Sequence, residues 1–134
     1  MKTGKMTMDY DLETKAVSVH IELENGTVWL SKNQIADMFG VYISAVTMNL
    51  QSLYKEDEAF VTANSQYYYV TTASGESVSR TLFNLDVIIL LAFKMKGGNC
   101  HLFRQWMREQ AKRPIVESRQ NPIIIQIGKN SLFN

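Results

Sequence analysis

A chain of 134 residues and 15.3 kDa has room for one domain, and a 46% share of hydrophobic residues can supply its core. The net charge of +1 lacks the overall basic excess that is typical of nucleic-acid binders. The charges are unevenly distributed, however: residues 9–24 hold five acids and one lysine, whereas residues 94–113 hold six basic residues and one acid. Such asymmetry would orient the molecule near a polyanion.

The single cysteine, Cys100, excludes an internal disulfide and any metal site built from several cysteines, so a reducing compartment is expected. The polar start of the chain indicates no secretory signal. The longest apolar run, Val87 to Phe93, is far shorter than the ~20 residues that cross a bilayer. We expect a cytoplasmic protein with no membrane partner.

Residues 1–15 are polar and are predicted to be a flexible N-terminus. The stretch "AVSVHIELENGTVWL" then alternates apolar and polar residues on both sides of Asn25-Gly26. An Asn-Gly pair between alternating runs is a strong hairpin signal, because both turn residues tolerate positive φ. Two paired strands are therefore predicted at 16–22 and 27–30.

Ser31 is a suitable N-cap for a following helix, and Gln34 would complete a capping box. Gly40 is predicted to end this helix in the left-handed conformation. Val46, Leu50 and Leu53 recur at helical spacing and predict a second helix over about 43–54. The acidic residues 56–58 that follow are typical of a loop.

The stretches "QYYYVTT" and "SVSRTLF" flank "ASGE" and predict a second hairpin over 66–72 and 77–83. Asn84 can then cap an apolar, buried helix. Gly97-Gly98 breaks the chain, and Asn99 can cap a final amphipathic helix that Pro114 should end. The tail, residues 114–134, contains the strand-like "IIIQI", which either joins a sheet of this molecule or pairs with a second copy. A homodimer through this tail or the final helix is predicted.

Ala36, Gly40 and Val46 have the spacing of a helix-turn-helix. This motif needs a small residue where the helices cross, a turn that ends the first helix, and an apolar residue that packs the second helix onto the first. A helical hairpin that binds nothing would satisfy the same pattern. The order hairpin, helix pair, hairpin, helices favours an α+β fold over 16–113: a winged helix-turn-helix with an N-terminal β-hairpin, a wing hairpin and two C-terminal helices.

Two stretches carry a family resemblance: "VWLSKNQIADMFGVYISAV" and "TLFNLDVIILLAFKMKGGNCHLFRQWMREQA". Together they resemble the RhuM-like (virulence-associated) family of bacteria and their mobile elements. The second stretch is also similar to the N-terminal domain of phage antirepressor (BRO-type) proteins. The resemblance implies a DNA-binding regulator of transcription encoded on a mobile element or phage-related locus. It covers roughly residues 27–113.

The chain departs from the family pattern on the predicted recognition helix. Family members usually carry Ser-Arg at its start and a further basic residue within it, where this chain has Tyr42-Ile43 and Met48. A glutamine can pair with adenine, but no arginine is available here for guanine. Base edges and phosphates of double-stranded DNA would have to be met by polar and basic residues on and around this helix: Lys32, Gln34, Tyr42, Ser44, Thr47, Met48, Gln51, Lys55, Arg80, Arg104 and Arg108.

Other candidate sites favour ordinary structural roles. Tyr67-Tyr68-Tyr69 could stack on bases, but alternation along a strand favours core and surface positions. The side chains of Cys100 and His101 are adjacent in sequence and would point apart on a helix. His20 has no metal-ligand neighbour at useful spacing. We therefore predict no catalytic residues, no metal and no cofactor, with a protein-interaction or oligomerisation module as the alternative to DNA binding.

Overall fold

Two small antiparallel sheets and five helices make up the computed structural model, which describes residues 2–120 and has a mixed α+β fold. The first sheet pairs β1 with β2, and the second has the order β3-β5-β4. In chain order the elements are β1 (Lys5–Tyr10), β2 (Val17–Glu22), β3 (Trp29–Leu30), α1 (Lys32–Phe39), α2 (Ile43–Glu56), α3 (Glu58–Ala63), β4 (Ser65–Thr71), β5 (Ser77–Asn84), α4 (Leu85–Lys94) and α5 (Cys100–Gln120).

The predicted N-terminal hairpin is wrong in its partners, although its turn is present. Asn25 and Gly26 both have positive φ (54° and 82°), and Glu24 and Thr27 bond across them. The strands on either side then diverge: β2 pairs with β1, and β3 pairs with β5. Residues 5–10, which were expected in a flexible N-terminus, form β1 instead. The turn signal is local, whereas the partner of each strand depends on distant apolar residues.

The helix α1 begins and ends as predicted. The Ser31 hydroxyl accepts from the Gln34 amide at 3.2 Å, and the Gln34 side chain accepts from the Ser31 amide at 2.9 Å, which is the capping box. Gly40 adopts the left-handed conformation, with φ 65°. The amide of Val41 donates back to the Ala36 carbonyl at 3.0 Å, which directs the chain into α2.

The acidic segment 56–58 is not a loop, because Asp57 joins two helices. Its amide donates to the Leu53 carbonyl and ends α2, and its carboxylate accepts from the Phe60 amide at 3.0 Å and caps α3. A carboxylate at a helix N-terminus is favourable both as a cap and against the helix dipole. The short helix α3 was missed because six residues give too little periodicity to detect.

The second hairpin is confirmed, with β4 and β5 paired in register from Ser65 opposite Phe83 to Thr71 opposite Ser77. At its end Asn84 has three roles. Its side-chain oxygen accepts from the Val87 amide and caps α4, its side-chain amide donates to Asn64 at 2.7 Å, and its backbone amide donates to the Asn64 carbonyl. This buried residue therefore joins the end of α3, the β4–β5 hairpin and α4.

The apolar sides of α1, α2, α4 and α5 meet around Phe39 and Phe103, whose ring centroids lie 5.5 Å apart. The predicted full burial of α4 is only partly right, because Leu90 and Phe93 are 40% and 51% exposed. Pro114 does not end α5, which continues to Gln120. A proline removes one amide donor, and here the helix continues past that single loss.

The predicted strand within the tail lies at residues 121–134, outside the described residues. No helix within residues 2–120 is long and apolar enough to cross a membrane.

Candidate nucleic-acid interface

The helix α2 is fixed to the core along one side. Val46, Leu50 and Leu53 point inward and are at most 6% exposed, and they join the same cluster as Ala36 and Phe39 of α1. This apolar contact packs α2 onto α1, as the spacing of Ala36, Gly40 and Val46 predicts. Because buried side chains hold α2 over about two turns, its opposite side has a defined orientation toward solvent.

The outer side of α2 is accessible over its whole length. Ser44 and Gln51 are exposed, Thr47 is half-buried, and Met48 is 68% exposed. Tyr42, which precedes the helix, is 85% exposed, and its side chain makes no capping bond. Apart from the partly covered Thr47, these side chains are open to solvent, so a bulky ligand could approach them.

A groove of about 250 Å³ separates α2 from the wing hairpin. Thr47, Gln51 and Tyr54 form the α2 wall, and Thr81 of β5 stands opposite them. Lys32, at the first turn of α1, lies at the same groove. Hydroxyl, carboxamide and ammonium groups thus converge on one concave surface, and each can bond to base edges or phosphate oxygens.

Strand alternation decides which wing residues belong to this surface. Thr81 lies opposite Tyr67 in the register and Ser79 opposite Tyr69, so these four share the face of the sheet that is turned toward α2. Tyr67 and Tyr69 are each 68% exposed, with edge-to-face rings whose centroids are 6.2 Å apart. They are surface aromatics beside the groove, not members of the core.

Arg80 lies opposite Tyr68 and therefore on the other face of the wing. Its side chain is exposed, but it points away from the wall that Thr81 forms. The sequence prediction placed Arg80 outside the helix, as a phosphate contact from the hairpin, and its side chain does not line the groove beside α2.

Arg104 is wrongly placed in the predicted interface. Its guanidinium donates to the carbonyl oxygens of Ala92 and Met95 at 2.7 and 3.0 Å, at the C-terminal end of α4. Free carbonyls at a helix end attract a cation, which explains why the side chain turns inward. Both contacts are to the protein itself, so this arginine stabilises the junction of α4 with α5.

The remaining predicted residues are spread over several elements. Lys55 is exposed on the last turn of α2, and Arg108 is exposed on α5, which packs against α4 and β2. The Gln34 side chain serves the capping box of α1. Among the described basic residues of the predicted site, Lys32 alone lines the α2 groove, so the helix is not flanked by a basic stripe.

The structure adds Tyr54, Tyr67, Tyr69 and Thr81 to the candidate interface. Tyr54 could have been found from its helical spacing with Thr47 and Gln51. The two wing tyrosines and Thr81 could not, because their position depends on which face of β4 and β5 is turned toward α2.

Two described titratable groups, Cys100 and Asp11, have shifted pKa values. Burial raises the pKa of the Cys100 thiol, and the nearby Arg104 charge only partly opposes this effect, which leaves a neutral, unreactive thiol. Backbone amides of Glu13 and Thr14 lower the pKa of the exposed Asp11 carboxylate, as expected in a turn. His20 lies 3.7 Å from Glu22 on the exposed side of β2.

Comparison with known protein families, with curated proteins and with solved structures finds no match to this chain. The resemblance to the RhuM-like family therefore stays a prediction.

Proposed function

We propose that this protein binds double-stranded DNA through a winged helix-turn-helix, with α2 as the recognition helix and β4–β5 as the wing. The observation that carries the proposal is the accessible outer side of α2 beside a groove that includes Lys32, Gln51 and Thr81, on a helix that the core holds in place. A straight, exposed helix of this length can enter a major groove about 12 Å wide. Regulation of transcription, as the family resemblance implies, is the role proposed for such binding.

The chemistry of the surface predicts weak and mildly selective binding. Gln51 can make a bidentate pair with adenine, and Ser44 or Thr47 can bond to any base edge, but guanine lacks its usual arginine partner. Half-buried Lys32 together with exposed Lys55 and Arg80 could neutralise about three phosphates, which gives a log–log salt slope of about −2.7. A dimer on two half-sites about 34 Å apart would double the contacts.

A fluorescence-polarisation titration with a mixed-sequence duplex tests the proposal at salt concentrations of ~50 and ~200 mM. We expect the affinity at ~200 mM salt to be roughly 40-fold lower than at ~50 mM. Binding releases counterions from the DNA, and this release is less favourable at higher salt. Lys32→Gln should make the slope about 0.9 less negative. Gln51→Ala should leave the slope unchanged and reduce the preference between sequences.

Lys2→Gln is the matched control, since it removes the same charge from an exposed residue outside the groove. It should leave both affinity and slope nearly unchanged. Absence of binding at ~50 mM salt would contradict the proposal, as would equal effects of Lys32→Gln and Lys2→Gln.

A protein-interaction module is the second candidate, favoured by the apolar character of the same surface. Tyr42, Ile43 and Met48 are 85%, 46% and 68% exposed, and aromatic and methionine side chains are enriched at protein interfaces. Under this alternative the duplex titration shows no salt-dependent affinity. Met48→Glu would then change the oligomeric state measured by light scattering, whereas DNA binding alone predicts no such change.

A further inference from the structure

Among the described residues, β1 pairs along one edge only, and its other edge lies along an open groove. β1 belongs to a two-stranded sheet, and within residues 2–120 no third strand pairs with its other edge. The groove measures about 660 Å³ and is lined by the consecutive residues 4–9 together with α1 and Asn99. The side chains of consecutive strand residues point to opposite faces of the sheet, and consecutive residues of β1 line the groove. The groove therefore runs along the edge of the strand and not along one of its faces.

The hydrogen-bond alternation shows which backbone groups this edge offers. The Asp11 amide donates to the Ala16 carbonyl at 3.0 Å, in the register that continues β1–β2. In an antiparallel pair, residues whose backbone groups bond to the partner strand alternate with residues whose backbone groups point away from it. The N–H and C=O groups of Met6 and Met8 therefore point into the groove, away from β2.

The groove also has an apolar floor. Met6 is buried, and Met8 and Met38 are half-buried against the core, with Leu30 close by. Methionine side chains adapt to differently shaped apolar partners. An unpaired strand edge above such a floor suits an extended apolar strand, which would gain ladder hydrogen bonds and bury its side chains in one step.

This chain itself contains a segment of the required chemistry. Residues 123–127 read "IIIQI", and strand alternation puts Ile123, Ile125 and Ile127 on one side, with Ile124 and Gln126 on the other. The segment would be about 17 Å long when extended, which is close to the length of β1. One side is fully apolar, and the other carries a single amide suited to solvent.

The C-terminal end of α5 lies far from the groove wall that Asn99 forms, which suits exchange of the following segment with a second molecule. The helix begins directly after Asn99, in the wall of the groove, and ends at Gln120, about 30 Å farther along its axis. Only Asn121 and Pro122 separate that end from Ile123. The span from Gln120 to Ile123 covers at most about 11 Å, which leaves Ile123 roughly 20 Å or more from Asn99.

We propose that the β1 groove binds the segment Ile123–Ile127 of a second copy of this chain as an added strand, with Ile123, Ile125 and Ile127 on the apolar floor. Reciprocal exchange of the two segments forms a two-fold dimer in which both edges are paired. This interaction goes beyond DNA binding and does not depend on it, because the β1 groove shares no lining residue with the groove beside α2.

Light scattering of three full-length proteins tests this proposal. The wild type should have twice the 15.3 kDa mass of one chain at micromolar concentration. Ile125→Lys should raise the dimer dissociation constant at least ~10-fold, because it buries an unpaired charge on the floor. Gln126→Lys introduces the same side chain on the opposite, solvent-facing side of the added strand, so this variant should remain dimeric.

Hydrogen exchange provides the second readout and locates the contact. In the wild type the Met8 amide should exchange at least ~10-fold more slowly than in Ile125→Lys, because a ladder bond forms in the groove. The Thr7 amide points toward β2 and should be equally protected in both proteins. A monomeric wild type, equal effects of the two lysine variants, or an unchanged Met8 amide would each overturn the proposal.

Discussion

Two glycines, Gly40 and Gly98, lie in the turns that precede α2 and α5, and these two turns contact each other. Both have positive φ, 65° and 54°, where a side chain is disfavoured. They differ in the space around them. A Cβ on Gly40 would meet only the Asn99 side-chain nitrogen at 3.6 Å, whereas one on Gly98 would collide with the Phe39 carbonyl oxygen and approach Val41 Cγ1 within 2.8 Å.

The two glycines should therefore respond differently to the same substitution. Gly40→Ala should lower the free energy of unfolding by about 1–2 kcal/mol, which is the cost of the left-handed conformation. Gly98→Ala should lower it by clearly more, because the Phe39 backbone cannot move without displacing α1. Urea unfolding of both variants measures the difference, and equal losses would contradict the close approach at Gly98.

At the scale of one residue, the sequence predicted local features well. The caps at Ser31 and Asn84 and the left-handed Gly40 follow from short-range hydrogen bonds and backbone sterics, which the adjacent residues decide. The role of Arg104 could not be read in the same way. Its partners, Ala92 and Met95, belong to another helix, and only the packing of α5 on α4 brings them within reach.

At the scale of elements, the junction of α4 with α5 depends on that arginine. Arg104→Ala should lower the free energy of unfolding by about 2 kcal/mol, because two carbonyl oxygens lose a charged donor. Arg108→Ala, one turn farther along the same helix, removes an exposed guanidinium and should cost no more than about 0.5 kcal/mol.

Chemical denaturation of both arginine variants measures these losses. The Arg104 variant, while folded, should keep wild-type affinity for the duplex, since its guanidinium is committed to α4. A large loss of DNA affinity with unchanged stability would show instead that Arg104 contacts DNA, as the sequence alone suggested.

Which strands pair with each other was the least predictable feature of the fold. The alternation around Asn25-Gly26 indicated two neighbouring strands, yet β2 joins a strand that precedes it and β3 joins β5, more than fifty positions later in the chain. Both arrangements satisfy the same local pattern, so the competition is decided by tertiary burial. The wing hairpin was predictable because its two strands are true sequence neighbours that also pair with each other.

At the scale of the whole molecule, the proposed DNA surface and the proposed dimer surface are separate. Lys32, Gln51 and Thr81 line the groove between α2 and the wing, whereas Met6 and Met8 line the groove beside β1. A dimer built through the second groove would leave the first one open on each subunit. Variants of one surface should therefore leave the function of the other intact.

The central claim is that DNA contacts the outer side of α2 together with the wing. An amide chemical-shift map, recorded at ~50 mM salt while a mixed-sequence duplex is added, tests it most directly. We expect the largest shifts within residues 42–55 and 67–81, with little change along β1 and β2. Shifts concentrated on α5, with α2 and the wing unaffected, would contradict the claim.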